Sequence, residues 1–414
     1  MRTIAVATAG RSDYGIYLPV LREIDRQPDL RLSVVAGGMH FTPEFGVTVL
    51  SLEHDGFDVA ERVEVRATSD SPVAVAEAIG LGIAGFAQAY ARCRPDLLVV
   101  LGDRYEMHAA ALAALPLGIP TAHIHGGELA EGTIADALRH CITKLSHLHF
   151  VSTETYARRI VQLGEEPWRV FVTGAPSLDN LRTFEPLSRA EVEARVGMTL
   201  ETAPLLVTYR PVSLEPAGAE LWQMAELFAA LRDSGRPLVF TLPNADAGGL
   251  AVAEMIGAFV EREPGARLIA NAGTSLYFSL MSCAAAMVGN SSSGLIEAAS
   301  FGLPVVNIGS RQSGRVRADN VIDVNYDRYA IAGGIRRALE PPFRDRLREM
   351  LNPYGRGVAA QDIVHVLRTV PLDARLLHKR FFDAAGGEFS SHAVVNSLKD
   401  AQQWVMPPRV PNDN

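Results

Sequence analysis

The chain has 414 residues, of which 48% are hydrophobic, with 39 basic and 47 acidic side chains and a formal net charge of −8. That length exceeds one ordinary core and suits two domains of about 150–200 residues, and the composition excludes a disordered chain. The acidic balance argues against a general nucleic-acid or membrane-surface binder, so an anionic ligand must be gripped by local groups.

Residues 1–8 carry a short apolar run, too short for a secretory signal and read as a first buried strand. No membrane span is expected. Cys93, Cys141 and Cys283 form no CxxC pair and are expected to be buried, reduced thiols of a cytoplasmic protein. Apolar runs then recur at 4–8, 32–36, 97–101, 119–124 and 170–173. Between them, 16–26, 45–54, 73–92, 105–115 and 134–145 have helical spacing. Continuous apolar strands separated by helices predict a parallel sheet covered on both faces.

The pattern pauses over the polar stretch 177–204, which carries a charged helical segment at 189–196. It restarts with strands at 205–208, 238–242, 268–270, 286–288 and 304–308, and helices at 219–231, 250–261 and 293–300. The expected fold is therefore α/β, with two doubly wound, Rossmann-like parallel-sheet domains. The first covers 1–180 and the second 181–355, followed by a helical segment 356–383 and a polar tail 384–414. Ligands of open parallel sheets sit beyond the carboxyl ends of the strands. Polar residues there carry the most weight, and the two sets of strand ends are expected to face across one cleft.

The first strand leads into Ala9-Gly10-Arg11-Ser12-Asp13, where small residues admit a ligand and the Arg11 fork suits phosphate oxygens; a structural salt bridge is the alternative. Asp103 and Glu128 fall at adjacent strand tips, in Gly102-Asp103-Arg104 and His125-Gly126-Gly127-Glu128. Asp136 and Arg139 are expected on the first turn of the following helix. Converging carboxylates suit proton transfer at carbon, because repulsion and desolvation favour a protonated form. The plainer reading is that Asp103 and Asp136 cap helices. His123 and His125 alternate on a strand, so both can face one side; hydrogen-bonding histidines are preferred to metal ligands, for want of a third ligand. In the second half, Gly289-Asn290-Ser291-Ser292-Ser293 ends a strand and opens a helix with hydroxyls and free N–H groups, an anion site suited to diphosphate. Glu297, on that helix's first turn or just beyond, is placed to accept ribose hydroxyls. Arg315 faces either phosphate or solvent.

These segments, together with 38–46, 139–147 and 315–321, resemble the hydrolysing UDP-N-acetylglucosamine 2-epimerases and their relatives that act on related UDP sugars in sialic acid precursor synthesis. The resemblance covers nearly all of 1–383. It implies a glycosyltransferase-B-type fold, a C-terminal helix packed back on the first domain and a homodimer, and requires no metal or cofactor. It also implies elimination of UDP across C1–C2 and addition of water to give the free 2-epimer, such as N-acetylmannosamine. By this likeness Asp103 and Glu128 are catalytic, with Asp136 and Arg139 beside them. Arg11, Ser291 and Ser292 contact phosphate and Glu297 contacts ribose, with His40, His125, Arg210, Asn290, Ser293 and Arg315 completing the binding set. Two positions depart from the family pattern: Ala135 stands where a second aspartate precedes Asp136, and Arg210 replaces a histidine before Pro211. An arginine keeps the positive charge but does not exchange protons near neutrality. These departures keep two alternatives open: a diverged hydrolase or glycosyltransferase on another donor, and a non-catalytic nucleotide-sugar binder.

Overall fold

The computed structural model describes residues 1–383 except 42–47, 66, 68, 70, 132, 213–215, 217 and 243–248, and the side chains of Arg11 and Leu250. Expectations for the 384–414 tail, and for 42–46 and Ser213 within the resembling segments, lie outside the described residues. The chain divides into two compact units. One comprises 1–128, 137–179 and the chain from Tyr354 onward; the other comprises Leu129–Asp136 and Asn180–Pro353.

In the first unit, seven strands form one sheet: β1 (Arg2–Thr8), β2 (Leu30–Gly37), β3 (Val59–Val63), β4 (Leu97–Leu101), β5 (Thr121–Ile124), β6 (Leu148–Val151) and β7 (Val170–Val172). Their order is β3-β2-β1-β4-β5-β6-β7, and every pairing is parallel. Side chains alternate between faces along each strand. Ile4, Val6, Leu97 and Val99 pack with Tyr17 and Leu21 of the helix Arg11–Asp25 and with Ile363 and Leu367 of the helix Ala359–Thr369. Ala5, Ala7, Leu98 and Val100 pack on the opposite face with Phe86, Ala89 and Tyr90. Both faces are buried, which is why these strands read as unbroken apolar runs. Each such buried Leu or Val stabilises the fold by about 1.5–3 kcal/mol.

The second unit holds β8 (Leu205–Thr208), β9 (Leu238–Thr241), β10 (Ala266–Ile269), β11 (Ala286–Gly289), β12 (Val305–Ile308) and β13 (Val321–Val324), ordered β10-β9-β8-β11-β12-β13 and again parallel. Its core joins Leu205, Val207, Phe240 and Val288 to Leu227, Phe228 and Phe259; the rings of Phe228 and Phe259 stack on one another.

Several expectations need correction. The segment after Tyr354 is not one helix: Ala359–Thr369 stops before Pro371, and a single turn, Ala374–Leu377, follows. Val370 takes an extended conformation (ψ 130°), as a residue preceding proline should. Cys141 and Cys283 are exposed and Cys93 is partly so, so the thiols are not core residues. The helix Pro72–Cys93 is long and apolar enough to cross a membrane by length and composition alone. It buries Ala78, Gly82, Phe86, Ala89 and Tyr90 within the first unit.

The chain's final described turn is fastened by a buried ion cluster. The Glu165 carboxylate, fully buried, meets Lys144 at 2.5 Å, Lys379 at 2.8 Å and His149 at 3.0 Å. Burial opposes its ionisation, but His149 and the two lysines outweigh that and hold it down to about 2. A depressed carboxylate stabilises the fold at pH values above its unfolded value, and the contribution is lost as pH falls toward the folded one. Glu165→Gln is therefore expected to remove a stability increment present at neutral pH. It should also flatten the acid limb of the unfolding curve between about pH 4.5 and 2, read by circular dichroism across a pH series.

Candidate active site

Both sheets reverse strand order once: between β1 and β4 in the first unit, and between β8 and β11 in the second. Crevices at such points, outside the carboxyl ends of the strands, hold ligands in open α/β sheets. The expected site residues of each unit gather there or on the adjoining strand tips.

In the first unit, β1 ends at Thr8, and Gly10 precedes the helix that begins with Arg11, whose side chain lies outside the described residues. Asp13, in that helix's first turn, is buried and accepts the Ala9 N–H at 3.1 Å; burial pushes its carboxyl up to about 6. His40, beyond β2, is fully buried. Its Nε2 lies 2.9 Å from the Thr8 hydroxyl and its Nδ1 2.8 Å from that of Thr48, and burial pushes it down to about 4. Both ring nitrogens are thus engaged within the protein.

The densest cluster forms where β4, β5 and β6 end. Arg139 is only 3% exposed, yet its guanidinium reaches three groups. One nitrogen donates to Asp103 and another to the His125 carbonyl at 2.6 Å, while Glu128 lies 3.7 Å away. The carboxylate repulsion expected from the sequence is therefore offset by a cation set between the two acids. Arg139 stands on the second turn of the helix Ile134–Leu145, not the first. Nδ1 of His125 donates to Glu128 Oε1 at 2.7 Å, and the Ser152 hydroxyl lies 3.0 Å from the same nitrogen.

His125 does not share a strand face with His123, because β5 ends at Ile124 and His125 turns to a φ of +62°. Side chains other than glycine seldom adopt that conformation, and such outliers concentrate at working sites. Gly127 follows with a φ of +74°, and a Cβ there would sit 2.5 Å from the Tyr156 carbonyl, so only glycine closes this turn. His123 stays on the strand. The Gly102 carbonyl, which only accepts, takes a hydrogen bond from Nε2 at 2.8 Å, leaving Nδ1 to accept from the Thr143 hydroxyl at 3.1 Å. Burial pushes His123 down to about 3, so it is a neutral prop under the Gly102-Asp103 turn.

In the second unit, Asn290 ties the two strands at the crossing point. Its amide accepts the Arg210 N–H and donates to the Arg210 carbonyl, both at 2.7 Å. Gly289 must be glycine, since a Cβ would lie 1.9 Å from the Thr208 carbonyl. The helix expected over 293–300 is a single turn, Ser293–Ile296, running into a 3-10 turn, Ala298–Phe301, so its macrodipole is slight. Ser292 makes no side-chain cap, and Ser291 Oγ accepts the Ser293 N–H at 3.3 Å. Glu297 closes that turn and is 7% exposed. Arg210 Nε is buried and unbonded among the described residues. Arg311 and Gln312 donate to the Asn290 carbonyl at 3.1 and 2.8 Å, and Arg315 Nε donates to the Leu129 carbonyl at 2.8 Å.

The structure thus brings together Asp103, Glu128, His125 and Arg139 in one unit, and Arg210, Asn290, Ser291, Ser292 and Ser293 in the other, with Glu297 closing the same turn. Asp136 belongs to the second unit, and its carboxylate accepts the Ala130 N–H at 2.7 Å, within the loop ahead of the helix. Ser152 and Asp13 escaped the sequence reading. The signal for Ser152 was a polar residue directly after a strand, but β6 itself went unrecognised.

Two parallel-sheet α/β domains with polar strand tips place the chain among proteins of glycosyltransferase-B type. A sequence model described as UDP-N-acetylglucosamine 2-epimerase matches residues 22–368, and the chain belongs to that family. It is 36% identical over 379 residues to a UDP-N,N'-diacetylbacillosamine 2-epimerase (hydrolyzing) of Legionella pneumophila, covering 92% of this chain and 99% of that one. A GDP/UDP-N,N'-diacetylbacillosamine 2-epimerase (hydrolyzing) of Campylobacter jejuni is 37% identical over 325 residues, 78% of this chain and 84% of that one. The fold matches the crystal structure of the Neisseria meningitidis UDP-GlcNAc 2-epimerase bound to UDP-GlcNAc, with a TM-score of 0.76 at 22% identity over 89% of this chain and 100% of that one.

Proposed function

We propose that this chain is a hydrolysing 2-epimerase, a cytoplasmic homodimer that releases UDP from a UDP-2-acetamido sugar and yields the free 2-epimer. Proton removal from C2 sends the C–H electron pair into a C1–C2 double bond as the C1–O pair leaves with UDP. Water then adds its oxygen to C1, and C2 regains a proton on the opposite face. The observation that carries this reading is the buried Arg139 clasping Asp103 beside the His125–Glu128 pair. It supplies charged and proton-accepting groups that are largely buried, where they act more strongly than in water. We assign the strand-tip serines and Arg210 to the diphosphate and Glu297 to the ribose.

UDP-N-acetylglucosamine and UDP-N,N'-diacetylbacillosamine are the substrates to compare, and the identities of the two relatives favour the second. Incubation with each, followed by identification of the released sugar, tests the reading. A 2-epimeric free sugar supports it. An unepimerised sugar points instead to a diverged hydrolase, and saturable UDP binding without release to a silent binder. Glu297→Ala is expected to weaken UDP binding by about 1.5–3 kcal/mol, the loss of a charged hydrogen bond, measured by calorimetry. Unchanged affinity removes Glu297 from the ribose role.

A further inference from the structure

The role of the His125–Glu128 pair deepens the epimerase reading and rests on it. Glu128 is almost fully buried and its Oε1 takes the Nδ1 proton of His125 at 2.7 Å, with Ser152 Oγ 3.0 Å from that nitrogen and 3.4 Å from the same oxygen. A carboxylate acceptor fixes the tautomer, with the proton on Nδ1 and a bare lone pair on Nε2. That Nε2 makes no hydrogen bond among the described residues, and the side chain keeps 7% exposure. Neighbours hold the backbone around it: Arg139 donates to the His125 carbonyl, and His123 props the adjoining turn through Gly102. The backbone is held at a φ of +62°, a conformation that side chains other than glycine seldom adopt. Within the cluster, Asp103 is bonded to Arg139 and Glu128 to His125, whereas the Nε2 lone pair has no hydrogen-bond partner among the described residues.

The geometry points to His125 as the group that takes the C2 proton of the UDP sugar, with Glu128 as its positioning residue and not itself the base. In this step the proton passes from C2 to Nε2, the C–H pair forms the C1–C2 double bond, and the C1–O pair departs on the β-phosphate of UDP. The imidazolium so formed is balanced by Glu128 through Nδ1–H and returns its proton to solvent. Ala135 therefore leaves no gap in the proton-transfer set, because a histidine from a different strand tip fills that role.

Asparagine tests this sharply, because it tolerates the left-handed conformation and its amide reproduces the Nδ1–H bond to Glu128 but offers nothing at Nε2. His125→Asn is expected to lose about 10²–10⁴-fold in turnover with UDP affinity unchanged. His125→Gly, which relieves the backbone, is expected to fold and to regain UDP release when imidazole is added. Nitrogen-15 spectra of labelled histidine, with His125 assigned by its loss in the Asn variant, should show a ring protonated on Nδ1 alone at mildly alkaline pH. Undiminished turnover in His125→Asn, or a proton resident on Nε2 under those conditions, overturns the proposal. If the wild type releases no UDP from either sugar, the epimerase reading fails by itself, and the ring spectra still decide whether the pair exists as described.

Discussion

Arg139→Met is expected to destabilise the protein by about 3–5 kcal/mol, the usual consequence of removing one partner from a buried charge pair. The same change should lower turnover by about 10²–10³-fold, as when one preorganised donor is removed from a reacting site. The side chain is 3% exposed and serves two carboxylates and a carbonyl at once. Methionine fills the volume but leaves Asp103 and Glu128 without the cation between them. It also frees the His125 carbonyl, so the strained turn loses one restraint. Arg139→Lys should recover part of the stability and little of the turnover, because an ammonium keeps the charge but cannot fork to both sides. Chemical denaturation beside a UDP-release assay reads both effects, and a Met variant as stable and active as the wild type contradicts this picture.

Asp103→Asn should lower turnover by about 10²–10⁴-fold, the range for losing one acid–base group. Asparagine retains an oxygen for Arg139, so the strand tip should survive and the loss should appear in kcat. UDP affinity should stay at the wild-type value, because Asp103 is assigned no contact with the diphosphate or the ribose. Parallel calorimetry with UDP separates this from general damage. If affinity and turnover fall together, Asp103 is a structural cap, as its place ahead of the helix Tyr105–Ala114 allows.

The strands whose two faces are both buried were legible as apolar runs; β4 and β8 have the expected bounds. Those that escaped are edge or interrupted strands. β3 reads Val-Ala-Glu-Arg-Val with alternating exposure, β13 places Asp323 in an edge strand, and β6 breaks its run with His149, a residue committed to Glu165. Local patterning carries no trace of an ionic partner sixteen residues away. The site residues were legible by position, because polar groups after apolar runs mark strand ends. Their pairing was not. Nothing in His-Ile-His-Gly-Gly-Glu announces that the second histidine leaves the strand at a positive φ, since only glycine advertises that conformation. Nor does chain order reveal that Leu129–Asp136 belongs with the second unit.

Carbon–hydrogen bond breaking at C2 of a nucleotide sugar is the central step, and turnover in heavy water measures it directly. Released sugar carrying one deuterium at C2, with inverted configuration there and UDP formed in equal amount, is the expected result. UDP release that leaves the original hydrogen at C2, with configuration retained, contradicts it.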